Sequence, residues 1–167
     1  MNPRETLSIY AFILGLLTFL FFLRVLAQAL VAFFDIPFLP PMKAWYDPTL
    51  PIGISGLIPY PILLPLQAVI LLFQAKISMD FSRRGGFFVV PRKSMGRFLC
   101  WISYFYFALM ALRYALSMAL FPERRWFGQT AIIFFHFVLA GFLFTLGHFH
   151  ARQAPASAML NHSSHKG

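Results

Sequence analysis

Acid is the scarcest chemistry in this chain. Five aspartates and glutamates stand against fourteen lysines and arginines in 167 residues. None of the five is expected at mid-membrane depth. That argues against the proton-coupled exchange of small cation exporters, which relies on a buried carboxylate. One cysteine, Cys100, excludes an internal disulfide and any zinc or iron–sulfur site built from several cysteines of one chain. There is no glycine-rich phosphate loop, no serine-nucleophile motif and no HExxH. A soluble-type active site is therefore not expected. An intramembrane enzyme acting on lipid or quinone stays open, because such a site needs only a few polar groups.

What the chain holds instead is apolar bulk. It is 59% hydrophobic, 19% aromatic and 11% charged, with 22 phenylalanines. These values exclude disorder and a water-soluble domain. The formal charge of +9 resembles that of a nucleic-acid binder. The basic residues sit beside hydrophobic runs, however, so topology and anionic lipid account for them better, and no nucleic-acid partner is expected.

A membrane-spanning helix needs about 20 mostly apolar residues. Four runs qualify, at about 7–34, 57–75, 98–121 and 129–149. The fold class expected is all-α: a polytopic integral membrane protein, four transmembrane helices in a bundle with a proline-rich outer loop. Residues 1–150 form the single domain, and 151–167 a short disordered tail. Ala27-Gln28-Ala29 matches a small-x-small cleavage site. The apolar run continues past it to Phe34, so the first span is expected to be retained.

The basic residues orient the spans. Lys76, Arg83, Arg84, Arg92, Lys93 and Arg97 lie between the second and third runs, whereas Lys43, Arg124 and Arg125 lie on the other side. Both termini are then cytoplasmic, in a membrane expected to be the bacterial inner membrane. The basic inner loop would meet anionic lipid. The outer loop carries Pro37, Pro40, Pro41, Pro48 and Pro51. Proline fixes φ and biases its predecessor toward extended structure, so this loop reads as a stiff cap.

Polar groups inside the runs are the candidate site. Arg24, Gln28 and Asp35 share one face of the first run, by spacing. They would bind an anion, a quinone carbonyl or a lipid headgroup; the simpler reading is an arginine snorkelling outward with its neighbours. In the second run Pro65 should kink the helix or delay its start. Gln67 and Gln74 share a face and are expected to bond across helices, at roughly 1 kcal/mol each. In the third run Ala108, Ala111, Ala115 and Ala119 form a stripe suited to close packing. Arg113 lies about 12 Å below the outer end and needs water, headgroups or a partner. The candidate ligand-binding set is Arg24, Gln28, Gln67, Arg113 and His136.

The fourth run carries His136, with His148 and His150 at its end. His136 and His150 fall within about 40° of one face and about 21 Å apart. This His-x13-His spacing resembles the ligand spacing of di-haem b-type cytochromes. The resemblance covers one helix and implies haem b held by His136 and His150. The other runs contain no histidine, so only a homodimer joined through this helix would complete the ligand pairs, with Gly141, Thr145 and Gly147 easing its approach. The bland reading puts His148 and His150 at the inner interface and leaves His136 as the histidine inside the bundle. No cofactor or metal is expected from one chain alone. Three functions are compatible with these residues. The first is a non-catalytic subunit or accessory factor of a membrane complex, with a membrane-protein partner. The second is a haem- or quinone-binding redox protein. The third is a small carrier for an anionic or lipidic solute.

Overall fold

In the computed structural model of the chain, residues 3–34, 60–120 and 130–164 are described. The proline-rich loop with Asp35, Trp45 and Asp47 lies outside the described residues, as do Pro59, Glu123 and Trp126. Four helices follow one another: α1 Pro3–Phe34, α2 Tyr60–Ser82, α3 Lys93–Leu120 and α4 Thr130–Ser164. A 3₁₀ turn, Phe87–Val89, lies between α2 and α3. There is no strand among the described residues. Each helix is long and apolar enough to cross a membrane, the pattern of a multi-pass membrane protein.

The helices pack as a row, in the order α2, α1, α4, α3. Neighbours in the row run antiparallel. Thr18 of α1 meets Ser78 of α2, and Arg84 beyond α2 reaches Ser8 near the start of α1. Tyr10 of α1 meets His148 of α4, while Gly141 faces Leu17. Ser103 of α3 donates to the Ala140 carbonyl of α4 at 2.8 Å. α2 and α3 do not pack along one another. The core is correspondingly thin. Leu14, Ile77, Phe81, Phe142, Leu146 and Phe149 form one cluster toward the termini; Phe21, Val25 and Val138 form another toward the opposite end. Large apolar side chains such as Phe12, Phe19, Leu72, Trp101 and Phe105 point outward. With acyl chains as solvent, outward apolar groups carry no hydrophobic penalty.

Glycine decides the tightest contact. A Cβ on Gly147 would lie 2.8 Å from Cys100 N, and one on Gly96 would lie 2.8 Å from the Gly147 carbonyl oxygen. α3 and α4 can approach this closely because neither carries a side chain there. Gly147 therefore serves packing within the chain, and Gly141 faces α1; the homodimer contact expected of them is replaced by internal ones. The alanine stripe of α3 is likewise placed differently. Ala108, Ala115 and Ala119 are exposed, and α3 packs through Gly96, Cys100 and Ser103 instead.

Two boundaries differ from the hydropathy reading. α2 runs on past residue 75 through Lys76 and Asp80 to Ser82. Lys76 bonds the Asp80 carboxylate one turn on, so the charges neutralise each other and the helix continues. Asp80 is buried, so an acid does occur within an apolar helix, in its last turn. α4 runs to Ser164, through the tail expected to lack structure. Ala151, Ala154, Ala156, Ala158, Met159 and Leu160 are good helix formers, and extending an existing helix needs no new nucleus. Pro65 lies in the second turn of α2 without ending it, and it frees the carbonyl of residue 61.

The connection from α2 to α3 is pinned at several points. Gly85 N–H donates to the Asp80 carbonyl at 3.1 Å, and Arg84 turns the chain at φ 54. Gly86 has φ 114 and packs on the Asp80 carboxylate. Arg92 lies over the Phe87 ring at 4.0 Å, and its N–H donates to His150 Nδ1 at 3.3 Å.

Candidate functional site

The helix row brings Arg24, Tyr106, Arg113 and His136 together. Arg24 comes from α1, Tyr106 and Arg113 from α3, and His136 from α4. Tyr106 Oη and His136 Nδ1 are hydrogen-bonded at 2.5 Å, with their ring centroids 5.9 Å apart. Arg24 and Arg113 both lie within electrostatic range of this pair. The guanidinium of Arg24 lies 5.5 Å from the centroid of the Phe135 ring. Counted along their helices, Arg24 is about 15 Å, Arg113 about 10 Å and His136 about 9 Å from the end opposite the termini. Three sequence-predicted residues on three different helices thus converge at similar depth.

Arg24 does not snorkel. It is 6% exposed, and its Nε is buried without a hydrogen-bond partner. The row explains why: α1 is flanked by α2 and α4, so a side chain on its α4 face meets Phe135 before it can reach a headgroup. A cation–π contact in a desolvated place is worth about 2 kcal/mol, while an arginine at the centre of a membrane helix costs roughly 3 kcal/mol on insertion scales. The buried Arg24 guanidinium over Phe135, near the Tyr–His pair, puts a positive charge inside an apolar bundle.

Gln28 and Gln67 are also buried. Gln28 stands one turn from Arg24 on α1. Gln67 is on α2, which packs on α1, and its Oε1 has no partner. The interhelical bonds expected of Gln67 and Gln74 are not formed by these atoms: Gln74 is 2% exposed and neither of its amide atoms is paired. Asp35, the third member of the polar stripe on α1, lies outside the described residues.

The histidines of α4 divide in a way that spacing did not show. His148 is partly buried; it bonds the Tyr10 hydroxyl through Nδ1 at 2.7 Å and stacks on Phe144. His150 is 0% exposed, and its Nδ1 accepts from Arg92 N–H. The α2–α3 connection folds over it and encloses the ring. Its Nε2 is buried inside the chain, so it cannot be presented to a haem shared with a second copy. His136 commits Nδ1 to Tyr106. His136 Nε2 is not used in that bond, so it is the buried Nε2 of His150 that keeps the pair from fitting a bis-histidine haem site across a homodimer. Among the described residues, no group of three histidine, cysteine or acidic side chains is placed to hold a metal.

Tyr106 is the residue that the sequence reading missed. The signal was present: it lies seven residues before Arg113, about 20° from it around α3. A tyrosine among many aromatics draws no attention until a histidine on another helix meets its hydroxyl. No protein-family model matches the chain, and neither the curated proteins nor the solved structures contain a match to it.

Proposed function

We propose that this protein binds a lipid-soluble ligand with an anionic or oxygen-rich head at the cluster of Arg24, Tyr106, Arg113 and His136. The carrying observation is the burial of Arg24 with an unpartnered Nε beside the Tyr106–His136 pair. A guanidinium prefers a planar oxygen acceptor, and Nε is part of its donor fork. An anion or a carbonyl oxygen would satisfy it and offset the local positive charge. The Tyr–His pair adds a hydroxyl and an imidazole with Nε2 left to engage the ligand. This is the binding step common to a carrier of an anionic or lipidic solute and to a quinone-binding protein. Both termini and the basic loop are assigned to the cytoplasmic face of a bacterial inner membrane on the lysine and arginine asymmetry, with anionic lipid against that loop.

The test is ligand-dependent stabilisation. Purified protein in neutral detergent is heated with phosphatidylglycerol, oleate or a short-chain ubiquinone. At least one should raise the melting temperature, and Arg24→Gln should abolish that rise. Equal responses from the wild type and Arg24→Gln to all three would refute the site.

A second reading, a non-catalytic subunit of a membrane complex, is favoured by one observation. Ala108, Ala115 and Ala119 leave a small-residue stripe exposed on α3, the form of surface that another helix packs against. Recovery of one stoichiometric partner from native membranes, lost in Ala115→Phe, would support it.

A further inference from the structure

Gln74 stands apart from the Arg24 cluster. It lies in the second half of α2, on the face that packs against α1. Its amide is buried, and both Nε2 and Oε1 lack partners. One turn further, about 6 Å along the helix and about 40° around it, is Ser78. Ser78 Oγ meets Thr18 Oγ1 of α1 at 2.9 Å. Thr18 gives its hydroxyl proton to the Leu14 carbonyl at 2.8 Å. Ser78 is then the donor in the hydroxyl pair, and its own oxygen keeps lone pairs free to accept.

The seam thus presents, within one turn, an amide donor, an amide acceptor and a hydroxyl acceptor, all buried. An unpaired buried polar group costs about 1–3 kcal/mol. Val69, Ile70, Leu71, Leu72 and Phe73 run up to it, so packing alone gives no reason for a glutamine here. The ligand that completes it must both donate and accept. A cation serves the oxygens and leaves Nε2 unmet; an anion serves Nε2 and leaves the oxygens unmet. Water does both, and buried waters typically bridge two to four such groups.

We propose that the α1–α2 seam contains a bound-water site at Gln74, in which water accepts from Nε2 and donates to Ser78 Oγ, with Oε1 taking a proton from the same or an adjoining water. The site makes a hydrated step inside the apolar bundle. It lies about 9 Å along α2 from Asp80. The α1–α2 contact is then held partly through water, in contrast to the direct glycine contact of α3 with α4.

The experiment is water-edited solid-state NMR on the full chain in lipid bilayers, with glutamine, threonine, arginine and leucine labelled. Gln74→Leu assigns the Gln74 side-chain signal by its loss. Magnetisation from water should reach the Gln74 amide and the Thr18 methyl as quickly as it reaches the backbone of exposed Arg84. Transfer as slow as that to core Leu14 would overturn the proposal. In Gln74→Leu, transfer to the Thr18 methyl should fall severalfold; unchanged transfer would show that Gln74 does not hold the water and would also overturn it. Gln74→Met, similar in length and lacking both amide atoms, repeats the comparison if the leucine variant fails to insert.

Discussion

Gly96→Ala should pull α3 and α4 apart. The added Cβ would meet three backbone atoms: Ala151 N, Ala151 Cα and the Gly147 oxygen, the last two at 2.8 Å. Ordinary contact begins at 3.4 Å, so the helices must separate there by at least 0.6 Å (3.4 less 2.8). Backbone atoms cannot rotate away as a side chain can. Overpacking of this kind costs about 1–3 kcal/mol. Replacing glycine by alanine in a helix returns about 1 kcal/mol, so the net destabilisation is about 0–2 kcal/mol. Gly15→Ala is the matched control, because its Cβ would meet nothing within 4 Å and keeps only the helix gain. The two variants should therefore differ by about 1–3 kcal/mol, the overpacking cost alone, because the helix gain is common to both. Equilibrium unfolding in mixed neutral detergent and dodecyl sulfate, followed by circular dichroism, gives the comparison. If Gly96→Ala is as stable as Gly15→Ala, the close α3–α4 contact is wrong. Gly96→Ala with Gly147→Ala should cost less than the sum of the single changes, because one separation relieves both.

Four further outcomes follow from named contacts. Tyr106→Phe should destabilise by about 1–3 kcal/mol, because His136 Nδ1 loses its partner in an apolar place. The double variant with His136→Phe should recover part of that loss in the same unfolding assay; strict additivity would mean that the two side chains do not interact. Gly86→Ala should lower stability by about 1–3 kcal/mol, since alanine resists φ 114 and its Cβ would strike the Asp80 carboxylate. A melting temperature unchanged from wild type would contradict that turn. Cysteines placed at Trp45 and Arg84 in a Cys100→Ser background should react with an impermeant reagent from opposite sides of the membrane; labelling from one side overturns the four-span topology. Protein purified from haem-supplemented cells should show no Soret band; a stoichiometric one would overturn the enclosure of His150.

The Tyr–His pairs show where linear reading stops. Arg24, Arg113 and His136 could each be found as a polar residue inside an apolar run, because the membrane makes such residues costly and therefore conspicuous. Tyr106 is not costly, so nothing in its own stretch of sequence raises it. The enclosure of His150 was missed for a related reason. Hydropathy ends the fourth run near Phe149, but the α2–α3 connection folds back over the next residue and buries it. Gln74 was legible as a polar residue on a helix face; that it would be left without a protein partner depends on which side chains α1 brings opposite.

The four apolar helices and the arginines and histidines within them are legible in the linear chain. Hydrophobic length and the expense of burying polar groups in lipid act locally, along the chain. That the helices form a row, that Gly96 and Gly147 are used within the chain, and that Arg24 turns inward near Tyr106 and His136 emerges from packing. Those outcomes depend on which faces meet across distant helices. In a membrane, hydrophobicity does not choose among those faces, because lipid solvates all of them equally well.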